Sequence, residues 1–155
     1  MDERSKKLLS SLQNQCARRE YCSTDVFRKA TTKLEGDREA AAEIVAALVK
    51  DSYIDDLRYA CAFAREKAGI TGWGPIKIRM ALSAKGIPAD TIGSALEEID
   101  DERADAKLTR LLEAKWKSLS DDPQGKLKML RFALSRGYQY DQVRDEVDRI
   151  TSQSA

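Results

Sequence analysis

One segment of this chain occurs twice. Ile76–Ile99 aligns without gaps on Leu127–Ile150, at an offset of 51 positions. Lys77 meets Lys128, Ile78 meets Met129, and Lys85-Gly86 meets Arg136-Gly137. Asp90 meets Asp141, Ile92 meets Val143, Leu96 meets Val147 and Ile99 meets Ile150. A weaker copy precedes both. Gly36 stands 50 positions before Gly86, and Ile44 and Leu48 mirror Ile92 and Leu96 after a two-residue insertion. A period of this size marks a short unit that cannot bury its apolar faces alone and must stack on its neighbours.

The spacing inside each copy is helical. Leu8, Leu9, Leu12 and Cys16 predict a helix over 5–19, and Val26, Phe27, Ala30 and Leu34 predict a second, with Ser23 as its N-cap and Gly36 as its stop. A third opens at Asp37 and buries Ile44, Ala47 and Leu48. Asp55 caps the fourth, with Leu57, Ala60, Cys61, Ala64 and Ala68 on one face and Tyr59 and Phe63 on a second strip that also reads as core; Gly69 should end it. After the GITGWG loop, Pro75 suits a first helical position because its missing N–H is not needed there. Ile78, Ala81 and Leu82 then form a buried stripe, with Lys77 and Arg79 on opposite flanks and Gly86 as the stop. Pro88-Ala89-Asp90 opens a sixth helix, and a seventh runs to about Leu119. Asp121-Asp122-Pro123 reads as a cap and first residue for an eighth, built on Leu127, Leu130, Ala133 and Leu134 with Met129 and Phe132 beside them. The ninth begins at Asp141. The expected fold is therefore all-α: three tandem three-helix repeats, 1–54, 55–100 and 101–150, in an elongated array, straight or curved, with a disordered tail over 151–155. The competing architecture is a single compact helical bundle.

Composition narrows the chemistry. The 155 residues contain no His, so imidazole acid–base and nucleophilic schemes are excluded. The three Cys, Cys16, Cys22 and Cys61, lack zinc spacing and read as reduced, partly buried small hydrophobes in a cytosolic protein. No glycine-rich segment ends in Gly-Lys-Ser/Thr, and the GWGP turn is too short for a dinucleotide site. Asp55-Asp56 and Asp121-Asp122 sit where helix caps belong rather than metal ligands. No catalytic residue, metal or cofactor is expected. The charged MDERSKK start is no secretory signal, and no apolar run is long enough to span a membrane.

Charge is segregated although the net value is only +1. Residues 55–86 carry six basic and three acidic side chains, 87–106 one basic and seven acidic, and 107–155 ten basic and seven acidic. Ordinary solvated helix faces account for such runs. So does a basic surface near Trp73 that meets nucleic acid or an acidic partner.

The pattern YIDDLRYACAFAREK, then GWGPIKIRMALSAKGI, then Ile92-x-x-Ala95-Leu96 resembles the RecX family of bacterial regulatory proteins. CSTDVFRKATTKLEG before it and RGYQYDQV after it extend the likeness over nearly the whole chain. The resemblance implies an all-α repeat fold and a modulator, usually an inhibitor, of the RecA recombinase. Such a protein lodges on the RecA–single-stranded-DNA filament and limits strand exchange and ATP hydrolysis without catalysing a reaction. The position-by-position match covers Asp55, Tyr59, Phe63, Arg65, Gly74, Pro75, Lys77, Ile78, Arg79, Leu82, Lys85, Gly86 and Ile87. The caps, turns and core positions have structural explanations. Candidates for contact with RecA or DNA are Arg65, Lys67, Trp73, Lys77, Arg79 and Lys85, and in the third repeat Lys128, Arg131 and Arg136. Leu34-Glu35-Gly36 stands where the family more often has Lys-Gly, which weakens the case for a basic contact from the first repeat. Two other readings stay open: a standalone helical DNA-binding module, and a scaffold for an acidic protein. The expected species is a cytoplasmic monomer.

Overall fold

The structure is a computed structural model, and it describes residues 1–153. Nine α-helices and one π-helical turn follow one another among the described residues: α1 (Glu3–Arg18), α2 (Ser23–Lys33), α3 (Arg38–Lys50), α4 (Asp56–Glu66), the π-turn (Lys67–Thr71), α5 (Pro75–Ala84), α6 (Ala89–Glu97), α7 (Asp101–Leu119), α8 (Gly125–Ser135) and α9 (Tyr140–Gln153). Four helices start on an aspartate whose carboxylate accepts a backbone N–H three residues on: Asp2, Asp37, Asp55 and Asp100. The second helix of each repeat ends on a left-handed glycine, Gly36 (φ 93°), Gly86 (φ 78°) and Gly137 (φ 92°).

Burial divides the apolar residues into three groups. The first contains Leu12, Val26, Ala30, Ile44, Leu48 and Ile54. The second contains Tyr59, Ala60, Ala64, Ile78, Leu82 and Ile92, and also Cys22 from the preceding segment. The third contains Leu108, Leu112, Met129, Ala133, Val143 and Val147. Three cores in sequence order describe a repeat array rather than one bundle. The accessible surface, 9526 Å², agrees. A compact monomer of 17.4 kDa should expose only about 7,900 Å², and the surplus is what an extended stack leaves uncovered.

Successive units meet in one recurring way: the turn after the second helix of one unit docks on the start of the second helix of the unit before it. Gly74 and Ile76, at the start of α5, donate their N–H groups to the carbonyls of Arg136 (2.7 Å) and Gly137 (3.0 Å). The α5 amides lack a side-chain cap and find their acceptors in another repeat. Tyr138 Oη donates to the Gly72 carbonyl at 3.1 Å. The approach leaves no room for side chains. A Cβ on Gly137 would lie 2.3 Å from Lys77 Cβ, and one on Gly74 2.5 Å from the Gly137 carbonyl. The corresponding first joint is held by side chains. Lys85 Nζ reaches Asp25 Oδ2 at 2.8 Å. Asp56 accepts from Ser23 N–H (2.8 Å) and from Ser23 Oγ (2.6 Å), so a carboxylate from the next repeat caps α2. Arg58 pairs with Glu20.

Several expectations need correction. Ser23 is the first residue of α2 rather than its cap, because its hydroxyl is committed to Asp56. The fourth helix does not stop at Gly69. It widens into the π-turn and stops at Gly72 (φ 79°), where the Gly72 and Trp73 N–H groups both return to the Lys67 carbonyl. Leu57, placed on the core face, is 46% exposed. Pro123 does not open α8, which begins at Gly125, a residue so close to the end of α7 that an added Cβ would meet the Leu119 carbonyl at 2.3 Å. On α8 the buried face is Met129 and Ala133, while Leu127 and Leu134 face outward. Of the expected disordered tail, Thr151–Gln153 belong to α9, and Ser154 and Ala155 lie outside the described residues.

Candidate partner-binding surface

The π-turn builds the most concentrated feature. Widening the helix there lets Trp73 fold back onto α4, with its ring edge-on to Phe63 at 6.2 Å. Lys67 starts the turn, and its ammonium lies 4.9 Å from the Trp73 ring centroid and 5.6 Å from that of Phe63. Lys77, one turn into α5, brings a second ammonium to 4.5 Å from the indole centroid. One aromatic ring thus holds two cations that would otherwise repel each other. Contacts of this kind contribute about 0.5–1 kcal/mol each at exposed sites. With two ammonium groups over it, the indole gathers positive charge rather than offering a bare stacking face. π-Turns of this kind recur at functional sites.

The other candidate cations fall into different situations. Arg79 lies on the opposite flank of α5 from Lys77 and is exposed, as is Arg131 on α8; neither makes an ion pair among the described residues. Arg65 makes a long, exposed pair with Glu98 at 3.6 Å. Lys128 is held by Asp122 at 2.6 Å, a bond that keeps the Asp122 carboxyl below its ordinary range. Lys85 and Arg136 serve the joints: Lys85 bonds Asp25, and Arg136 donates to the Thr71 carbonyl at 2.7 Å while lying over Phe132 at 5.2 Å. The side-chain bond from Asp25 raises the Lys85 pKa. Burial pushes the Asp25 carboxyl up, but the bonds from Lys85 and Cys22 outweigh it and hold the group below its ordinary value. Lys67, Trp73 and Lys77 therefore form one group, and Arg79, Lys128 and Arg131 stand apart from it.

Three cations that the sequence did not single out also share one face. Arg103, Lys107 and Arg110 of α7 line a cleft opposite Arg65. Their spacing of four and then three residues was legible, but the linear charge count split them, with Arg103 in the acidic segment 87–106 and Lys107 and Arg110 in the basic segment that follows. All three cysteines are free and buried, and burial pushes their thiols up, which keeps them protonated and unreactive. Among the described residues, no helix is long and apolar enough to cross a membrane.

Comparison with known proteins follows the same division of the chain. The model of the second three-helix domain of RecX matches residues 55–96, and that of the third matches residues 101–146. The chain is similar to the regulatory protein RecX of Pectobacterium atrosepticum, 31% identical over 133 residues that cover 81% of each sequence. A relative of the same name from Clostridium botulinum is 33% identical over 72% of this chain, and one from Oceanobacillus iheyensis 35% identical over 61%. The chain spans only 53% and 35% of the length of those two relatives. The crystal structure of RecX from Lactobacillus salivarius superposes with a TM-score of 0.82 over 97% of this chain and 98% of that one, at 22% identity, which speaks for the fold. A second RecX crystal structure superposes with a TM-score of 0.81 at 20% identity. With both domain models matched in order, and a relative of similar length aligned over four fifths of its sequence, this chain belongs to the RecX family.

Proposed function

We propose that this chain is a non-enzymatic inhibitor of the RecA recombinase. In this reading it binds the RecA–single-stranded-DNA filament as a cytoplasmic monomer and limits strand exchange and ATP hydrolysis during DNA repair and the SOS response. One observation carries the reading: the two family domains, 55–96 and 101–146, are also the segments that hold Lys67, Trp73, Lys77, Arg79 and Arg131. A filament of protein on a polyanionic strand suits such a basic, extended surface. The absence of His from the sequence supports a role in binding rather than acid–base catalysis.

The test is a titration into the RecA of the same organism hydrolysing ATP on single-stranded DNA. Hydrolysis should fall at substoichiometric ratios of this protein to RecA. No effect at excess protein would sink the proposal. Lys77→Glu with Arg79→Glu should weaken inhibition about tenfold, equivalent to about 1.4 kcal/mol. If the double variant inhibits as well as the parent, the α5 cations are not the contact. Affinity for bare DNA as tight as for the filament would favour a plain DNA-binding module.

A further inference from the structure

We propose that the cleft between α4 and α7 binds the phosphate backbone of a single nucleic-acid strand. The cleft encloses about 520 Å³ and joins the end of the middle unit to the first helix of the third. Arg65 stands on one wall. Arg103, Lys107 and Arg110 stand on the other, at positions that bring them to one face of a helix. At about 1.5 Å of rise per residue, they form a row of positive charge roughly 10 Å long. The acidic residues Asp101, Glu102 and Asp105 of the same helix fall on its other faces, and Asp105 is bonded by Gln142 of α9. This sorting explains how a helix that begins in the acidic segment 87–106 presents a basic wall.

Two carboxylates also line the cleft, and both are occupied. Glu98 faces Arg65 at 3.6 Å, and Asp100 accepts the Arg103 N–H at 3.2 Å as the cap of α7. Arg103, Lys107 and Arg110 make no ion pair among the described residues. The remaining wall is small: Ala68, Gly69, Ala104 and Ala106, with Ile99 as the only large apolar group. A protein partner would need pockets for aromatic or aliphatic anchors, and this wall offers almost none. Three guanidinium forks and an ammonium along a smooth wall suit phosphates, which they can bind bidentately or as a point charge. Lys107 fixes the place of the cleft in the molecule. Its Cε lies 3.5 Å from where a Cβ on Gly72 would stand, so the middle of the row packs against the residue that ends the π-turn, next to Trp73.

The inference deepens the function proposed above and rests on it only for a strand lying near the bound protein. Binding of free strand is measurable without the recombinase. The probe is a fluorescent oligo(dT), followed by anisotropy across salt concentrations, with the whole chain. Arg103→Gln, Lys107→Gln and Arg110→Gln together should flatten the log–log salt dependence by about 2 and lower affinity about 100-fold near 0.1 M salt. The matched control removes three exposed cations of the first unit, Lys7→Gln, Lys33→Gln and Lys50→Gln, and should leave most of the affinity. Circular dichroism checks that both variants fold. Equal losses in the two variants, or an unchanged slope in the first, would overturn the proposal, as would polyglutamate competing as well as unlabelled oligo(dT). If oligo(dT) binding follows the cleft variant while the parent fails to inhibit RecA, the cleft stands and the recombinase reading falls.

Discussion

Gly36 and Gly137 occupy the same place in their repeats and have nearly the same backbone, φ 93° and φ 92°. From sequence they are equivalent stops. In space they are not: a Cβ on Gly36 meets nothing within 4 Å, whereas one on Gly137 meets Lys77 Cβ at 2.3 Å. Gly36→Ala should therefore cost only the left-handed penalty, about 1–2 kcal/mol. Gly137→Ala should add an overpacking cost of about 1–3 kcal/mol. Urea unfolding followed by circular dichroism measures both, and equal costs would mean that α5 yields to the intruding methyl. The comparison also shows what one sequence can disclose about a residue. The need for a positive φ is local and could be read from helix spacing. The close approach depends on a residue in another unit and left no local mark.

The same boundary between local and distant causes runs through the helices. Their number and order, and the caps at Asp37 and Asp55, were legible, because apolar spacing and N-cap chemistry act within one turn; the caps at Asp2 and Asp100 were not named, and those read at Ser23 and Asp121-Asp122 are not made. The buried face of α8 was legible only in part. Leu127 and Leu134 look like core by side-chain type, but the repeat alignment sets Met129 against Ile78 and Ala133 one turn on, and it is Met129 and Ala133 that are buried. Met129→Ala should cost about 2–5 kcal/mol, the usual range for emptying a core position. Leu127, 43% exposed, should cost well under that when truncated. Chemical denaturation of the two variants decides between the faces. At the candidate site, Lys67, Trp73 and Lys77 could be named from sequence but not joined. The π-turn that joins them needs one wider turn of backbone, and the closing bond from Trp73 N–H to the Lys67 carbonyl, 2.8 Å, has no residue-type signature. Lys85 and Arg136 looked like partner contacts because their acceptors, Asp25 and Thr71, lie 60 and 65 residues away.

At the scale of the whole molecule, the two joints are made of different materials. The joint between the middle and third units is mainly backbone amide to carbonyl, with a neutral Tyr138 hydroxyl and one arginine–carbonyl bond. None of these groups is a carboxylate. The joint between the first and middle units depends on carboxylates: Asp25 with Lys85, Asp56 with Ser23, and Glu20 with Arg58. Asp25 has a depressed folded pKa, so its contribution is complete above the ordinary value of 3.8 and is lost as pH falls through the lower folded value. Lys85 has a raised folded pKa, so its contribution is complete below 10.5 and is lost as pH climbs through the higher folded value. Between those limits the pair stays charged, and its partial exposure reduces its worth to about 1 kcal/mol or less. Acid should therefore loosen the first joint while the second holds. Spin labels at Asn14→Cys and Ser83→Cys report the first joint, and labels at Ser83→Cys and Ser118→Cys report the second. Distances measured at neutral pH and then below the ordinary carboxyl range should broaden for the first pair only. Asp25→Asn should broaden the same distance at neutral pH, because it removes the charge that Lys85 bonds without exposing core. If both distances broaden together, the units move as one body and the joints do not differ. If Asp25→Asn leaves the first distance sharp, Cys22, buried in the second core, and the Asp56 cap of α2 hold that joint without the ion pair.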